Sequence, residues 1–330
     1  MQFGMFGSAQ ARRGGPDVDS GSGFREFVER NVEAEALGYH STFLVEHHFT
    51  GFGQVSATLN LLTWIGARTS KLRLGTAVTV LPWHNPVLLA EQIATLDLLS
   101  EGRVDAGIGK GYRLREFEGF AMPIEDADTR FEECLNVMLK AWTSDTPWSH
   151  QGKYWQYDNV VVEPPSAQKP HPQILMVAGS PRSVKQVAQL GFNMLLGQYD
   201  SFDVIVDEVA MYKSEVESLG RTFDPMSVAV ARSVNIVSSN NEYEEAVTNR
   251  MAARRRTQEH ALQSSFQDTR EAAEAGTIYG SLDHVTKEMQ TLHEAGIEYV
   301  LLNCPAGIPV SYTHLRAHET SLHLVCRLLL

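Results

Sequence analysis

The sequence predicts a (β/α)8 TIM barrel, an α/β fold in which eight parallel strands alternate with helices. Short β-rich runs alternate with amphipathic helical stretches, which is typical of βα units and a parallel sheet. Eight strand candidates occur within 330 residues, a length that suits one large α/β domain. No Gly-x-Gly-x-x-Gly motif follows the first strand, which disfavours a doubly wound dinucleotide-binding sheet.

The strand candidates are apolar, β-branched runs that glycine, proline or polar residues bound. In chain order they are residues 2–6, 42–45, 72–80, 104–108, 174–178, 193–196, 227–237 and 299–303. The helix candidates show apolar residues at helical spacing. They are residues 24–37, 56–68, 86–99, 127–143, 181–189, 204–219 and 284–295. A glycine follows four of these helices, where a left-handed residue ends a helix; these are Gly38, Gly191, Gly220 and Gly296.

Two insertions interrupt this single predicted domain. Before the fifth strand, residues 149–172 contain Tyr154, Trp155 and Tyr157 and predict a β-hairpin. After the seventh strand, residues 240–280 are charged and show no sheet pattern. We predict a helix there, with either a lid over the barrel mouth or a surface connection that has no role in catalysis.

The last segment differs in composition from the rest of the chain. The run from Ser311 to Thr320 resembles translated sequencing-adaptor sequence. We therefore interpret residues 308–330 as a non-native tail and residues 1–307 as the barrel domain.

The composition limits the possible partners. A net charge of −12 suits a phosphate backbone poorly, so we expect no nucleic-acid partner. No apolar run approaches the roughly 18 to 20 residues that span a bilayer, and we expect a cytoplasmic protein without membrane contact. Cys134, Cys304 and Cys326 are odd in number and widely spaced, which indicates buried thiols and no disulfide framework.

Polar residues and glycines follow the predicted strands. Active sites of this fold lie at the carboxyl ends of the strands. The second strand leads into Glu46, His47 and His48, and the third leads into Trp83 and His84. Later strand ends contribute Gly109, Lys110, Tyr112, Ala178, Gly179, Ser180, Ser183, Gln198, Tyr199 and Arg232.

The fourth and fifth strand ends predict a phosphate site. Gly179-Ser180-Pro181 is a tight strand-to-helix turn, so Ser180 and Ser183 can offer hydroxyls beside the amides of a helix N-terminus. Lys110 lies between two glycines and adds a cation on a backbone that permits close approach. Each feature alone is common in helix starts and surface loops, and their combination favours a phosphate-bearing ligand.

The two histidines admit three interpretations. Neighbouring residues on an extended chain point to opposite sides, so His47 and His48 cannot easily share a metal ion, and we expect no metal. One ring can be packed, with its nitrogen satisfied by Glu46 or a backbone carbonyl. One ring can face the barrel mouth as an acid, a base or a hydrogen-bond donor. The spacing does not decide which ring has which role.

Three stretches resemble the luciferase-like flavin-dependent monooxygenase family: residues 44–53, 75–82 and 90–103. The first of them also resembles the bacterial luciferase α subunit. The resemblance implies a barrel, usually a homodimer, that binds reduced FMN supplied by a separate flavin reductase. It also implies that the flavin reacts with O2 to form a C4a-hydroperoxide, which oxygenates a small organic substrate such as an aldehyde, ketone or alkane.

The resemblance further implies residue roles. His47 matches the family's catalytic histidine, with Glu46 and His48 as its supports. Ala77 and Val78 match a pair that a cis peptide bond joins beneath the flavin ring. The other matches to cofactor-binding positions are Gly109, Lys110, Tyr112, Arg130, Ala178, Gly179, Ser180 and Ser183. Gly109 replaces a reactive cysteine and Gly179 replaces an acid, so light emission and aldehyde specificity are not implied.

Three other functions fit some of these residues. A sister group on the same barrel uses a deazaflavin for hydride transfer without O2 and shares the motif of the third strand. Some luciferase relatives bind a flavin without turnover, although the intact Glu46-His47 pair argues against this. A metal-dependent hydrolase in a similar barrel is the weakest alternative.

Overall fold

A computed structural model describes residues 1–258 and 269–303. Its strands are β1 (Gln2–Gly7), β2 (Ser41–Leu44), β3 (Arg73–Thr76), β4 (Thr79–Val80), β5 (Val104–Gly109), β6 (Trp148–Gln151), β7 (Gln156–Val160), β8 (Gln173–Val177), β9 (Asn193–Leu196), β10 (Val228–Ile236), β11 (Thr277–Gly280) and β12 (Tyr299–Asn303). Its helices are α1 (Ser22–Ala36), α2 (Thr58–Gly66), α3 (Pro86–Leu99), α4 (Leu114–Gly119), α5 (Ala127–Thr143), α6 (Pro181–Leu190), α7 (Phe202–Ser218), α8 (Asn240–Gln258), α9 (Arg270–Ala275) and α10 (Leu282–Glu294).

The strands pair in the order that the barrel prediction requires. They hydrogen-bond as β10-β12-β1-β2-β3-β5-β8-β9, and β9 pairs with β10, so the ring closes and the predicted (β/α)8 barrel is confirmed. All eight strand candidates are present, with bounds within one residue of the prediction. The third candidate is divided into β3 and β4, because residues 77 and 78 lie outside both strands.

The backbone forms two compact units, and we name each by the part of the chain that dominates it. The amino unit comprises Ser8–Val32 and Leu44–Leu175. The carboxyl unit comprises Met1–Gly7, Glu33–Phe43 and the described residues from Met176 onward.

In the amino unit, β5 is buried along its whole length, as strands of parallel sheets usually are. Both β3 and β4 pair with it in parallel, and Leu74 lies opposite Val104. Gly107 permits this pairing, because a Cβ there would collide with the carbonyl oxygen of Thr76. The antiparallel pair β6 and β7 confirms the predicted hairpin.

Helix α3 shows how the sequence sets an element's bounds in this unit. Asn85 caps the helix by accepting a hydrogen bond from the Leu88 N–H, and Pro86 occupies the first turn. Leu89 and Ile93 are buried along one side, and each such side chain contributes about 1.5–3 kcal/mol. The predicted bounds of this helix are confirmed.

In the carboxyl unit, β10 pairs in parallel with β9, β11 and β12. The prediction that residues 240–280 lack a sheet pattern is wrong, because Thr277–Gly280 form β11. This strand has four residues, of which Ile278 and Tyr279 are buried, and so short a run shows no alternation. Helix α8 confirms the predicted helix, while residues 259–268 of the proposed lid lie outside the described residues.

Several smaller predictions concern chain ends and helix ends. The glycines that end four helices have φ values of +86°, +75°, +74° and +83°, in chain order, which confirms their left-handed conformation. Cys134 is a buried free thiol, whereas Cys304, Cys326 and the predicted tail lie outside the described residues. None of the helices in the described part of the chain combines the length and apolarity needed to cross a membrane.

Candidate active site

Glu46 lies two residues beyond the end of β2 and is 3% exposed. Its Oε2 accepts the Val80 N–H at 2.9 Å, and its Oε1 lies 2.9 Å from His48 Nε2 and 2.8 Å from His84 Nε2. Burial raises the pKa of Glu46, but the hydrogen bonds from the two histidines and Val80 outweigh it and lower this pKa to about 2. Glu46 is therefore a carboxylate at neutral pH, and both imidazoles donate to it through Nε2.

His47 is held by a different carboxylate. Its Nδ1 lies 3.0 Å from Oε1 of Glu116, and the same oxygen accepts the backbone N–H of His48 at 2.9 Å. A carboxylate has no proton to donate, so His47 donates through Nδ1 and carries a lone pair at Nε2. The pKa of His47 is lowered from its usual value. Burial is the largest cause and the nearby Arg113 charge adds to it, while the hydrogen bond with Glu116 acts in the opposite direction. The ring is therefore neutral at neutral pH.

The structure corrects the predicted pairing of these residues. Glu46 and His48 were expected to support His47, but Glu46 binds His48 and His84, and Glu116 binds His47. Adjacent side chains of an extended segment diverge, so Glu46 and His47 reach different partners. Glu116 was missed because it lies 69 residues beyond His47. The available signal was an acid on the helix that follows the glycine-rich end of the fourth predicted strand.

An aromatic cluster packs beside His48. The His48 ring lies 4.8 Å from Phe120, 5.2 Å from Trp83 and 5.9 Å from Phe49, measured between centroids. Phe49 is 49% exposed and has a φ of +55°. Gly119 leaves room for it, because a Cβ at Gly119 would collide with the Phe49 ring. The cluster forms a partly exposed apolar surface next to the histidines, which suits an organic ligand.

The Ala77–Val78 peptide bond is cis, as the resemblance implies. Gly109 ends β5 beside it, and a Cβ at Gly109 would lie 2.7 Å from Val78 Cγ2. Val78 thus occupies the space that a cysteine side chain would need, which is a steric reason for glycine at position 109. Tyr112 follows after two residues and is 45% exposed.

The two predicted phosphate-binding cations of the amino unit differ in environment. Lys110 Nζ lies 2.7 Å from Asp128 Oδ1, and both side chains are exposed. The Arg130 guanidinium stacks 4.4 Å from the Tyr154 centroid and 5.5 Å from that of Trp155. Its Nε is buried without a hydrogen-bond partner among the described residues. Arg130 therefore has a preorganised donor for an anion, while Lys110 is held in an exposed ion pair with Asp128.

The fifth-strand residues belong to the carboxyl unit. Ala178 is buried, and Gly179 follows it with open space where a side chain would lie. Ser180 caps α6, and Ser183 Oγ accepts the N–H groups of Gly179 at 3.2 Å and Ser180 at 3.1 Å. The two hydroxyls lie 2.8 Å apart. They satisfy the helix start and each other, so binding to a phosphate requires these groups to exchange partners.

A metal ion was one of the ligands that the histidine pair could have suited. Within residues 1–258 and 269–303, no group of three or more His, Cys, Asp or Glu side chains is arranged to hold a metal ion.

Relatives with similar sequences include several oxygenases. The chain is 27% identical over 308 residues to the uncharacterized protein y4vJ of Sinorhizobium fredii, covering 93% of this chain and 83% of that protein. It is 30% identical over 173 residues to the oxygenase component of flavin-dependent trigonelline monooxygenase from Acinetobacter baylyi. This second match covers 52% of the chain and only 48% of the relative.

Solved structures with the same fold have lower identity. Monooxygenase RslO1 of Streptomyces bottropensis superposes with a TM-score of 0.82 at 22% identity, covering 97% of this chain and all of that one. The oxygenating constituent of 3,6-diketocamphane monooxygenase from Pseudomonas putida, in complex with FMN, gives 0.74 at 19% identity, with 98% and 96% covered. An F420-dependent secondary alcohol dehydrogenase gives 0.77 at 17% identity, with 94% and 95% covered.

A family-wide comparison covers nearly the whole described chain. Residues 1–299 match the luciferase-like monooxygenase family. The match includes both buried carboxylates, the histidines that they hold and the cis Ala77–Val78 pair. The chain therefore belongs to the luciferase-like monooxygenase family.

Proposed function

We propose that the protein is a reduced-flavin-dependent monooxygenase that uses O2 to oxygenate a small organic substrate. The observation that carries this proposal is the neutral His47 ring, which donates through Nδ1 to Glu116 and has a lone pair at Nε2. A fixed imidazole of this kind can accept or return one proton at a defined atom. Family membership supports the oxygenase chemistry.

The residues present fit a flavin. The buried Nε of Arg130 is a donor without a partner among the described residues, which suits the anionic phosphate of FMN. In the amino unit, the groups that would hold FMN are Ala77, Val78, Gly109, Lys110, Tyr112 and Arg130. Ala178, Gly179, Ser180 and Ser183, which belong to the carboxyl unit, remain predicted cofactor-binding residues. When bound, reduced FMN supplies the electrons that activate O2.

The chain's own residues have separate tasks. His47 holds or moves a proton at Nε2, while Glu116 fixes the tautomer and orientation of its ring. Glu46 keeps His48 in place, and His48 packs against the aromatic cluster. The rings of Phe49 and Phe120 form a partly exposed apolar surface, and an organic substrate packed against it excludes water from a reaction that solvent would divert.

A reductase is part of the proposal. The A. baylyi relative is an oxygenase component, which supports a two-component system in which another cytoplasmic protein delivers reduced FMN. We expect turnover to require free reduced FMN and no direct reaction with a nicotinamide. Stopped-flow mixing with NADH, with and without an added flavin reductase, measures this requirement.

The function is tested by supplying reduced FMN and 18O2 with a panel of aldehydes, ketones, alkanes and terpenes. We expect one 18O atom in the product, measured by mass spectrometry. In His47→Ala, product formation should fall about 10²- to 10⁴-fold, because a positioned proton-transfer group is lost. Reduced FMN should still bind, and H2O2 should replace the product.

The matched control is His293→Ala, an exposed histidine that pairs with Glu298. It loses the same side chain and a similar contact between Nδ1 and a glutamate oxygen, and we expect its product yield to equal that of the wild type. Equal product yields from the wild type and His47→Ala would refute the assignment. Binding of FMN without O2 consumption by any variant would show a flavin-binding protein without turnover.

A deazaflavin-dependent hydride transfer is the second candidate. The structural likeness to the F420-dependent secondary alcohol dehydrogenase favours it, since that protein has the same fold. Reconstitution with reduced deazaflavin in the absence of O2 separates the two. Anaerobic product formation with the deazaflavin, and none with FMN, would select the second candidate.

We also propose a homodimer. Helices α2 and α3 expose large apolar side chains, with Trp64 at 64%, Leu99 at 68% and Leu88 at 53%. Such side chains are enriched at subunit interfaces. Light scattering should give twice the mass of the chain, and Trp64→Asp should shift the protein towards the monomer.

A further inference from the structure

Two buried arginines lie next to the residues that follow β9 in the carboxyl unit. Arg232, in β10, is 3% exposed, and its Nη1 donates to the carbonyl oxygens of Gly197 and Ala231 at 3.3 Å each. Arg250, in α8, is 6% exposed and donates to Oε1 of Gln198 at 2.9 Å and to its carbonyl oxygen at 2.8 Å. Both guanidinium groups are thus fixed by the chain.

Each arginine has a further buried donor. Arg232 Nη2 and Arg250 Nε are shielded from solvent and have no hydrogen-bond partner among residues 1–258 and 269–303. A charged donor that is buried without an acceptor is costly, and folded proteins rarely retain one without a reason. These two donors indicate that the cluster binds an acceptor group.

The side chains around the arginines limit their movement. Gln198 Oε1 also accepts a hydrogen bond from Asn303 Nδ2, so this amide is held from two sides. The Tyr199 ring lies 4.8 Å from the Arg250 guanidinium and 5.3 Å from that of Arg254. Stacking and amide contacts preorganise the donors, which favours planar recognition over a diffuse charge interaction.

The charges near the arginines indicate that an anion suits the cluster. Burial lowers the pKa of Arg232 to about 10, Asp200 and Glu208 raise it, and Arg250 lowers it. Burial also raises the pKa of Glu208 to about 7, so this carboxyl is partly protonated at neutral pH. The guanidinium groups of Arg232 and Arg250, with that of Arg254 on the Tyr199 ring, outnumber the carboxyl groups of Asp200 and Glu208. This surplus of positive charge favours an anionic ligand.

We infer that Arg232 and Arg250 form a subsite that binds the carboxylate of an anionic organic substrate. A carboxylate is planar and accepts two hydrogen bonds, which matches the fork of a guanidinium group. Both arginines donate to the residues that directly follow β9, Gly197 and Gln198, and barrels of this class build their active sites at such carboxyl ends of strands. The inference rests on the proposed function, because it assigns part of the substrate of that oxygenase.

Calorimetric titration with hexanoate and with hexanamide tests the subsite. The two probes have the same chain, and only hexanoate carries a charge. We expect the wild type to bind hexanoate at least about tenfold more tightly, which corresponds to roughly 1.4 kcal/mol. Arg232→Gln and Arg250→Gln should each reduce this preference below about threefold, because a charged fork is lost.

The matched control is Arg270→Gln, which removes an exposed arginine that pairs with Glu244 and Glu274. It changes the net charge equally and should keep the tenfold preference. If Arg232→Gln does not fold, Arg232→Lys replaces it; lysine keeps the charge without the planar fork, and the preference should still fall.

Three results would overturn the inference. They are equal binding of hexanoate and hexanamide by the wild type, an unchanged preference in the folded arginine variants, and tighter binding of inorganic phosphate than of hexanoate. The titrations contain neither flavin nor O2. A failed oxygenation assay therefore leaves their result intact, and a failed titration leaves the proposed oxygenase chemistry intact.

Discussion

Two clusters of buried charge, the glutamates of the amino unit and the arginine pair of the carboxyl unit, are satisfied in different ways. In the amino unit, Glu46 accepts hydrogen bonds from Val80, His48 and His84, and Glu116 accepts from His47 and the His48 backbone. In the carboxyl unit, Arg232 and Arg250 keep buried donors without partners in the described ranges. The two carboxylates of the amino unit are therefore satisfied by the chain itself, whereas the inferred carboxylate subsite, like the Arg130 Nε of the amino unit, has a buried donor left for a ligand.

Two buried glutamates show the same contrast in their titration. Glu46 has a pKa lowered to about 2, despite burial, because three donors stabilise its charged form. Glu208 has a pKa raised to about 7, because burial and the charge of Asp200 together outweigh the nearby Arg232. Residue type and burial alone therefore do not set the charge; the local donors do.

The largest stability effect is expected at Glu46. Its pKa is near 4.5 in the unfolded chain and about 2 in the folded one. The carboxylate thus stabilises the fold above pH 4.5, and this contribution is lost as the pH falls towards 2. Glu46→Gln should lower the free energy of unfolding at pH 7 by about 3 kcal/mol, in proportion to the pKa difference. Urea denaturation at pH 7 and pH 3 measures it.

The control for this variant is Glu118→Gln, an exposed glutamate on α4. It should change the free energy of unfolding by less than about 0.5 kcal/mol at either pH. The difference in free energy of unfolding between the wild type and Glu46→Gln should be smaller at pH 3 than at pH 7. A difference in free energy of unfolding that does not change with pH would contradict the charged state assigned to Glu46.

Glu208 should show the opposite dependence on pH. Its folded pKa of about 7 lies above the unfolded value of 4.5, so the folded state is destabilised as the pH rises between these values. Glu208→Gln removes this destabilisation. Its free energy of unfolding, measured relative to that of the wild type, should therefore rise by about 2 kcal/mol between pH 5 and pH 8. Thermal unfolding at the two pH values tests the sign. A free energy of unfolding for Glu208→Gln that falls relative to the wild type as the pH rises would contradict the contrast with Glu46.

Most of the fold could be predicted from the sequence, because the strands and long helices have clear periodicity and glycine ends. Helices α3 and α5 were predicted with their observed bounds. Strand β11 was not predicted, since four residues after a charged helix give no periodic signal. The division of the third strand at Ala77 and Val78 is a backbone feature, and only the resemblance indicated the cis bond there.

The site was harder to predict than the fold. Local sequence placed Glu46, His47 and His48 after a strand, and strand geometry indicated that the two histidines diverge. It did not pair Glu116 with His47, because that contact joins segments 69 residues apart. Nor could it identify Arg250 as a neighbour of Gln198, 52 residues away. Long-range pairings of charged groups depend on packing, and packing is not encoded in any one segment.

The smallest effect is predicted at Gly109 and Gly179, the two positions at which the resemblance implies other residues. A Cβ at Gly109 in the amino unit would lie 2.7 Å from Val78, whereas a Cβ at Gly179 in the carboxyl unit meets open space. Gly109→Cys should cost about 1 kcal/mol through overpacking, and Gly179→Cys should stay within about 0.5 kcal/mol of the wild type. Adding Val78→Ala to Gly109→Cys should recover part of the loss, because the two side chains share one space. Equal unfolding free energies for the two cysteine variants would show that Val78 moves aside and that packing is not the reason for glycine at position 109.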